Sequence, residues 1–277
     1  MKCYRAETLI DGLAFPEGPR WHDNFFWFTD QHAARVYRSD IDGTLEIITA
    51  TDDLPGGLGW LPDGSLLVVY MTQRKVMRWD GKKLSEYADL SGMASFHCND
   101  MLVDAYGRVY VGNFGFDLHG GARQSKAEII MIDVDRSLQL FSDEVVFPNG
   151  CVLTPDSNTL VVAETFAHRL TAFKLGDNGM SVSCHVWAEL GDMTPDGICI
   201  DARGHIWVAS PATNEVILLQ KGGDKIARCE TVGTPYACML GGEDGQTLFV
   251  CTSETDDPGK AAQMKSGRIE RVKVNQH

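Results

Sequence analysis

Four oxygen-bearing side chains open copies of a segment that recurs along this chain of 277 residues: Glu17, Asn99, Asn149 and Asp196. Two carboxylates and two carboxamides form a hard-oxygen donor set, which suits Ca²⁺, Mg²⁺ or Mn²⁺ and tolerates Zn²⁺ when few ligands bind. At any single position, Asn or Asp could open a strand simply because it caps the preceding turn. Turn chemistry explains four equivalent positions less well, and Glu17 is not a favoured turn residue. The pattern therefore predicts a divalent-metal site, if the fold brings these side chains together.

The recurring segment occurs six times and indicates a repeat architecture. Each copy combines a small or polar residue, an apolar run, a turn and a β-rich strand. The first residues of the copies, which are 39, 43, 50, 47 and 41 positions apart, are Glu17, Gly56, Asn99, Asn149, Asp196 and Ala237. Asp-Gly and Asn-rich turns between β-branched runs are typical of hairpins, and four-stranded propeller blades repeat at roughly 40–50 residues. The sequence predicts an all-β, six-bladed β-propeller that forms one domain over residues 1–277.

Strand patterns at the two ends of the chain predict how the ring closes. One strand is predicted around Tyr4 to Ile10 and another within Gly267–Val274. Placing both in one shared closing blade removes the open sheet edges. The first strand of each blade then lines a central channel, so the opening residues should project towards the axis at one end. The small residues that open the second and sixth copies leave an open sector where water and substrate could reach a bound ion.

Composition and charge argue against several classes of partner. The chain has 25 Lys and Arg residues against 38 Asp and Glu residues, a formal net charge of −13, and no basic run that could neutralise successive phosphates. We therefore expect no nucleic-acid partner and no membrane partner. The first residues lack a signal-like apolar stretch, and no window approaches about 18 apolar residues, so a cytoplasmic location is expected. The protein is expected to be a monomer or a small homo-oligomer. Eight cysteines without metal-type spacing are predicted to be mostly buried thiols.

Several short motifs stand out within the repeats. They are Glu17–Pro19 ahead of Trp21, Asn99–Asp100 with Asp104–Arg108, Phe147–Gly150, Ala163–Thr165 and Pro195–Asp201. Together they resemble the senescence marker protein/regucalcin/gluconolactonase family. The resemblance covers nearly the whole chain, and its motifs are specific in combination, whereas any one of them alone would be a weak signal.

This resemblance implies a six-bladed propeller and a metal-dependent hydrolase that acts chiefly on sugar lactones. It implies Glu17, Asn149 and Asp196 as metal ligands, with Asn99 as a substrate contact or a longer-range fourth ligand. Ca²⁺ is the favoured ion, with Zn²⁺, Mn²⁺ or Mg²⁺ as alternatives. Asp117 falls near a position where some relatives place a substrate-binding acidic residue.

His97 marks a departure from the family pattern. Sugar-lactonase relatives often carry Arg two residues before the Asn that corresponds to Asn99. An Arg can bind hydroxyl or carboxylate groups through several donors, and one imidazole cannot reproduce that fork. The pattern therefore predicts a lactone hydrolase without specifying gluconolactone as its substrate. His97 could be a substrate-binding donor, a proton shuttle or a structural residue.

The predicted reaction is hydrolysis of a small sugar-type or related lactone. A bound ion would act as a Lewis acid on the lactone carbonyl and on the attacking water. Asp196 is the predicted acceptor of a proton from that water. The alternatives are a phosphotriesterase or aryl esterase of the same architecture, and a calcium-binding propeller without catalysis. The glycine-rich segment 114–126 is either a lid that screens substrates or a plain solvent loop.

Overall fold

The protein consists mainly of β-strands in the computed structural model, which describes residues 1–275. The last two residues of the domain predicted to end at 277 lie outside this range. Within it, the helical elements are one short α-helix, α1 (Pro258–Met264), and two 3₁₀ turns, Gln31–Ala33 and Thr165–Ala167. None of the helical segments in residues 1–275 has the length and apolar character of a membrane span.

The described chain forms 25 strands. In chain order they are β1 (Lys2–Arg5), β2 (Glu7–Leu13), β3 (Pro16–His22), β4 (Phe25–Asp30), β5 (Arg35–Ser39), β6 (Leu45–Ala50), β7 (Pro55–Trp60), β8 (Leu66–Tyr70), β9 (Lys75–Trp79), β10 (Leu84–Asp89), β11 (Cys98–Val103), β12 (Val109–Asn113), β13 (Ala127–Ile132), β14 (Leu138–Val145), β15 (Pro148–Leu153), β16 (Thr159–Glu164), β17 (Arg169–Leu175), β18 (Ser181–Glu189), β19 (Ile198–Ile200), β20 (Ile206–Ser210), β21 (Glu215–Leu219), β22 (Lys225–Glu230), β23 (Thr234–Gly241), β24 (Thr247–Ser253) and β25 (Gly267–Lys273).

These strands form six sheets, the blades of a ring. Blades 1 to 4 are β3–β6, β7–β10, β11–β14 and β15–β18, each antiparallel and in chain order. Blade 5 contains β19–β22 with β1 at its outer edge, and blade 6 contains β23–β25 with β2. The innermost strands β3, β7, β11, β15, β19 and β23 each contact the next one around a common axis. This arrangement confirms the predicted six-bladed β-propeller.

The N-terminal segment closes the ring in two neighbouring blades. β2 pairs antiparallel with β25, so blade 6 combines both ends of the chain as predicted. The single strand predicted around Tyr4 to Ile10 is in fact divided, because β1 pairs parallel with β22 of blade 5. The division falls at Ala6, which is buried and whose N–H donates to Glu230 O at 2.9 Å. The chain therefore passes from one blade to the next at that residue.

Apolar side chains fill the spaces between neighbouring blades, where the middle strands are covered on both faces. β8 and β20 are buried at every position, the pattern expected of a strand without a solvent-facing side. Between blades 2 and 3, Leu67 and Val69 belong to one cluster with Met101 and Val111. Five of the eight cysteines are buried free thiols, as predicted: Cys98, Cys199, Cys229, Cys238 and Cys251.

Five of the six innermost strands depart from regular pairing at the residue that opens the repeat. The register shifts between Glu17 and Arg20 in blade 1, and at equivalent positions in blades 2, 3 and 4. In blade 6 it shifts between Pro235 and Ala237, so Tyr236, and not Ala237 as predicted, occupies the opening position. In blade 5, β19 begins only at Ile198, after Asp196 and Gly197. Such irregularities re-aim side chains locally, which frees the opening residues to face the axis.

Glycine permits the close approach of neighbouring blades around the axis. Gly150 N donates to Asp196 O at 3.2 Å, and Gly197 N donates to Tyr236 O at 2.8 Å. A Cβ at Gly150 would lie 2.8 Å from Asp196 O, and one at Gly197 would lie 2.3 Å from the Ala237 Cβ. The two backbones therefore pack at distances that a side chain would not allow.

We predict that Gly197→Ala lowers the free energy of unfolding by about 1–3 kcal/mol, because the added methyl group overpacks against Ala237. Gly92→Ala is the matched control, since a Cβ there meets no atom within 4 Å. Its effect should stay within about 0.5 kcal/mol. Urea unfolding followed by circular dichroism measures both values. Equal stability of the two variants would contradict tight packing at the axis.

Candidate functional site

The structure brings the four predicted oxygen donors to the floor of one cavity, at the end of the channel where the innermost strands begin. β3, β11 and β15 supply Glu17, Asn99 and Asn149, and the segment ahead of β19 supplies Asp196. His97 lines the same cavity. The cavity volume is about 340 Å³, which is near the small end of the range for ligand pockets. The floor residues are therefore placed to act on one small molecule.

Two of the floor residues, Glu17 and Asp196, are buried carboxylates with raised pKa values. Burial raises the pKa of Glu17 to about 8; a hydrogen bond from Gly18 N opposes the shift, and the charge of Asp100 adds to it. Burial also raises the pKa of Asp196 well above its ordinary value, and the charge of Glu17 adds to that shift, whereas the Asn149 amide opposes it. Such a pair is stable in its anionic form only beside a compensating positive charge.

The donors at the floor fit a divalent cation that prefers oxygen. Within residues 1–275, no group of three or more His, Cys, Asp or Glu side chains has the arrangement of a metal centre. The floor instead combines two carboxylates with the carboxamides of Asn99 and Asn149. Mixed carboxylate and carboxamide oxygens are typical of Ca²⁺ sites, whereas zinc centres more often use thiolate or imidazole.

Thr165 fixes the orientation of the Asn149 carboxamide. Asn149 Nδ2 donates to Thr165 Oγ1 at 3.2 Å, and Thr165 Oγ1 donates to Pro195 O at 2.8 Å. Because Nδ2 is held in this way, Oδ1 is the atom that Asn149 can present to a cation. Pro195 directly precedes Asp196, so these hydrogen bonds link the floor residues of blades 4 and 5.

An ion pair separates the floor from the other end of the channel. Arg20 Nη2 lies 2.6 Å from Asp100 Oδ1, which also accepts a hydrogen bond from Met101 N at 2.8 Å. Arg20 lines a second cavity of about 550 Å³ at the far ends of the innermost strands. The charge of Asp100 is therefore balanced by Arg20, although Asp100 directly follows the floor residue Asn99.

Two rings of side chains form the cavity wall above the floor. One ring consists of residues two positions before the opening residue in blades 1 to 5: Phe15, Leu54, His97, Phe147 and Thr194. The other consists of the first residue after the second strand: Gln31, Met71, Phe114, Thr165 and Pro211. Only His97 among these ten is predicted as a site residue from the sequence, because the repeat fixes the offsets but does not show which of them faces the cavity. The fixed offset explains why a residue at position 97 reaches the site.

His97 lies beside aromatic side chains in the first ring. Its imidazole stacks on Phe96, with centroids 4.1 Å apart and planes at 24°, and lies 6.2 Å from the Phe114 ring. Burial lowers the pKa of His97, although the charges of Asp53 and Asp117 oppose the shift. The imidazole is therefore neutral near pH 7. It can offer a substrate single hydrogen bonds, but not the forked contact of an arginine.

Segment 114–126 contributes Leu118 and His119 to the cavity wall. Burial lowers the pKa of His32 in blade 1, and the charge of His119 acts in the same direction, whereas Asp30 opposes it. His119 of this loop and His32 of blade 1 line the same cavity. This placement favours the interpretation of the segment as a lid over that of a plain solvent loop.

Asp117 is the predicted site residue that the structure does not bring into the cavity wall. It is exposed, and its Oδ1 accepts a hydrogen bond from Gly120 N at 2.8 Å within the loop. Its charge nevertheless acts on the neighbouring His97. The function of Asp117 in substrate binding stays a prediction.

Comparison with known families matches this chain over most of its length. The family model described as SMP-30/gluconolactonase/LRE-like region matches residues 15–254, a range that contains the floor and both wall rings. The chain belongs to this family. The motif resemblance found in the sequence is therefore confirmed.

Known proteins are similar to this chain in sequence or in fold. The pentonolactonase XacC of Haloferax volcanii is 26% identical over 254 residues, which cover 89% of this chain and 84% of that protein. A gluconolactonase structure from Xanthomonas campestris has a TM-score of 0.78 at 23% identity and covers 97% of this chain and 89% of its own. The calcium-binding protein regucalcin from Agrobacterium tumefaciens has a TM-score of 0.81 at 20% identity and covers 99% and 97%. At these identities, the two structures establish the shared fold alone.

We predict that Thr165→Val lowers the free energy of unfolding by about 1–2 kcal/mol, because the hydroxyl group loses both buried hydrogen bonds. Thr49→Val is the matched control, since the Thr49 hydroxyl bonds only to Ala50 O at the surface, and its effect should stay within about 0.5 kcal/mol. Chemical denaturation measures the difference. Wild-type stability in Thr165→Val would rule out Thr165 as the residue that holds Asn149.

Proposed function

We propose that this member of the family is a divalent-metal-dependent lactonase, a carboxylic ester hydrolase that opens a small lactone. The observation that carries the proposal is the pair of buried carboxylates, Glu17 and Asp196, at the floor of a small cavity. The pentonolactonase and gluconolactonase relatives support lactone hydrolysis as the reaction class. The calcium-binding regucalcin supports a divalent cation.

The proposed metal ligands are Glu17, Asn149 and Asp196, with Asn99 as the fourth, and Ca²⁺ is the favoured ion. Such an ion, when bound, supplies Lewis acidity to the lactone carbonyl and lowers the pKa of a nearby water. The chain itself holds the donors in place before any ion binds. The hydrogen bond from Asn149 Nδ2 to Thr165 fixes one donor, and the bond from Gly18 N to Glu17 Oε2, 2.9 Å long, fixes another.

Asp196 is the proposed acceptor of a proton from the attacking water. Its two carboxylate oxygens can face two groups at once, a cation and a water molecule. Asp196 N donates to Ala209 O at 3.0 Å and Asp196 O accepts from Gly150 N at 3.2 Å, so its backbone is fixed from both sides. In the reaction, water adds to the acyl carbon, the ring C–O bond breaks, and the proton passes to the alkoxide oxygen to give a hydroxy acid.

Asn99 and His97 are the proposed substrate contacts from blade 3. Both line the cavity, Asn99 at the floor and His97 in the wall two residues earlier. A neutral imidazole donates through one nitrogen and accepts through the other, which suits a carbonyl or a ring oxygen as partner. Asp117, whose charge acts on His97, is a further proposed contact from the adjoining loop.

The proposed partner is a small lactone or ester. The cytoplasmic location and the monomeric or small homo-oligomeric state stay predictions from the sequence. A phosphotriesterase or aryl esterase, and a calcium-binding propeller without catalysis, are the alternatives, and the two experiments below separate them from a lactonase.

We predict that Glu17→Gln weakens Ca²⁺ binding at least about tenfold, because one of the two charged donors is lost. Isothermal titration of metal-stripped protein with Ca²⁺ gives the dissociation constants. Asp42→Asn, which removes an exposed carboxylate in the turn between β5 and β6, is the control and should change the constant less than about twofold. Unchanged Ca²⁺ affinity in Glu17→Gln would remove Glu17 from the ligand set.

We predict that Asp196→Asn lowers kcat/KM at least about 100-fold on any lactone that the wild type hydrolyses, while the protein stays folded. Proton release is measured with metal-stripped protein to which Ca²⁺, Mg²⁺, Mn²⁺ or Zn²⁺ is added back. The panel includes several lactones, one aryl ester and one organophosphate, with Asp42→Asn as the control.

The outcomes of this experiment separate the alternatives. Turnover confined to the aryl ester or the organophosphate would favour the corresponding esterase. Ca²⁺ binding without turnover of any compound would favour a calcium-binding propeller. An active Asp196→Asn variant would contradict the assignment of the proton acceptor.

A further inference from the structure

The cavity wall differs chemically between its two sides. On the side of blades 3 and 4 it contains Phe114, Leu118, Phe147 and Phe166, which together are called the apolar wall, beside the polar His97, His119 and Thr165. The opposite side, from blades 1, 5 and 6, presents the polar groups of Gln31, His32, Thr194, Tyr236 and Asp256, beside Phe15, Pro211 and Pro258. A ligand centred on the floor would therefore meet aromatic rings on one side and hydrogen-bonding groups on the other.

The phenyl rings of the apolar wall form one packed surface. The Phe114 and Phe147 rings stack with centroids 4.4 Å apart, and Phe166 meets Phe147 edge to face at 4.9 Å. Phe116 is buried and supports them, with its centroid 5.8 Å from both Phe147 and Phe166. A preformed aromatic surface can bind an apolar group with little loss of side-chain entropy.

Phe147 occupies the apolar wall in an unfavourable backbone conformation. Its φ is +50°, a value that bulky residues rarely adopt, and the following Pro148 restricts its backbone further. Such a conformation costs about 1–3 kcal/mol and is found mainly at functional sites. The Glu164 carboxylate accepts a hydrogen bond from Val146 N at 2.8 Å and so anchors the segment that leads to Phe147. The phenyl ring is therefore held in the wall although the backbone conformation of Phe147 is unfavourable.

Phe166 and His32 occupy equivalent positions on opposite blades. Each is the second residue of the 3₁₀ turn that follows the second strand of its blade, blade 4 for Phe166 and blade 1 for His32. Both line the cavity. The same backbone position therefore carries a phenyl ring on one side and an imidazole on the other, so the asymmetry of the cavity is encoded by the side chains and not by the fold.

We infer that the substrate of this site carries an apolar substituent, an alkyl chain or an aryl ring, which packs on the apolar wall while its lactone group lies at the floor. The inference rests on the proposed lactonase function. A sugar lactone bears hydroxyl groups on most of its ring carbons, and those that meet the phenyl rings would lose hydrogen bonds to water. An apolar pocket discriminates against an added hydroxyl by about 100-fold at most, so the expected result is a preference among lactones.

Three lactones with the same six-membered ring test the inference: δ-valerolactone without a substituent, δ-nonalactone with a butyl group, and glucono-δ-lactone with hydroxyl groups. Proton release with the metal-loaded protein, corrected for spontaneous hydrolysis, gives kcat/KM. We expect δ-nonalactone to exceed glucono-δ-lactone at least about tenfold. An equal or higher kcat/KM for glucono-δ-lactone would overturn the inference.

Phe166→Ala and Leu118→Ala test whether the apolar wall is the source of the preference. Each should lower kcat/KM for δ-nonalactone about tenfold more than for δ-valerolactone, because only the butyl group depends on the wall. Tyr106→Ala is the control, since it removes an aromatic ring that is exposed and lies outside the cavity, and it should leave the ratio unchanged. Equal losses on both lactones in Phe166→Ala and Leu118→Ala would also overturn the inference.

Lactams separate a failure of this inference from a failure of the proposed function. Absence of turnover on every lactone would contradict the proposed function. Calorimetry with butyl-substituted and polyhydroxylated δ-lactams, which resist hydrolysis, then decides the inference without catalysis. Binding of the butyl lactam at least about tenfold more tightly supports it, and equal or reversed affinities contradict it.

Discussion

Buried hydrogen bonds from the segments that lead into five of the six innermost strands hold the blades at the axis. In blade 1, the Asp30 carboxylate accepts from Ala14 N and Phe15 N at 2.9 and 2.8 Å. The side chains with this function in blades 3, 4, 5 and 6 are Asn113, Glu164, Ser210 and Glu270. All five lie in the interior, where a polar group is stable only when it is hydrogen-bonded. The segments that they fix carry the first wall ring, so the interaction that orders the blades also shapes the cavity.

The innermost strands converge at the axis, which explains why the floor residues lie where strand pairing is irregular. A regular strand would place successive side chains on the two faces of its blade, and the faces of a blade pack against neighbouring blades. The register shift at Glu17 breaks that alternation, and the late start of β19 leaves Asp196 ahead of the strand. Glycines such as Gly197 then allow the next blade to approach. The floor residues can therefore face the cavity because regular strand pairing is interrupted where the innermost strands converge.

The floor could be predicted from the sequence because its residues have a fixed place in a repeat, as Glu17 and Asp196 show. The division of the N-terminal strand could not, because the residues around Ala6 are all extended and only the long-range bond to Glu230 O shows which blade each half joins. The wall rings share a fixed offset, but choosing that offset requires the connections between strands in three dimensions. Asp117 lies in a loop without periodicity, so its orientation depends on local turn contacts that no repeat encodes.

The buried carboxylates of this fold form two groups: those that stabilise the structure and those that belong to the candidate site. Carboxylates such as Asp30 and Glu164 accept hydrogen bonds from backbone N–H groups, so folding itself supplies the partners that compensate their burial. Glu17 and Asp196 instead lie together at the floor, where burial raises the pKa of both and the charge of Glu17 adds to the rise at Asp196. A buried charge without a compensating partner destabilises a fold. The floor carboxylates therefore lower the free energy of unfolding, and a bound cation can offset this loss. Cation binding at the site and the stability of the propeller are thus linked.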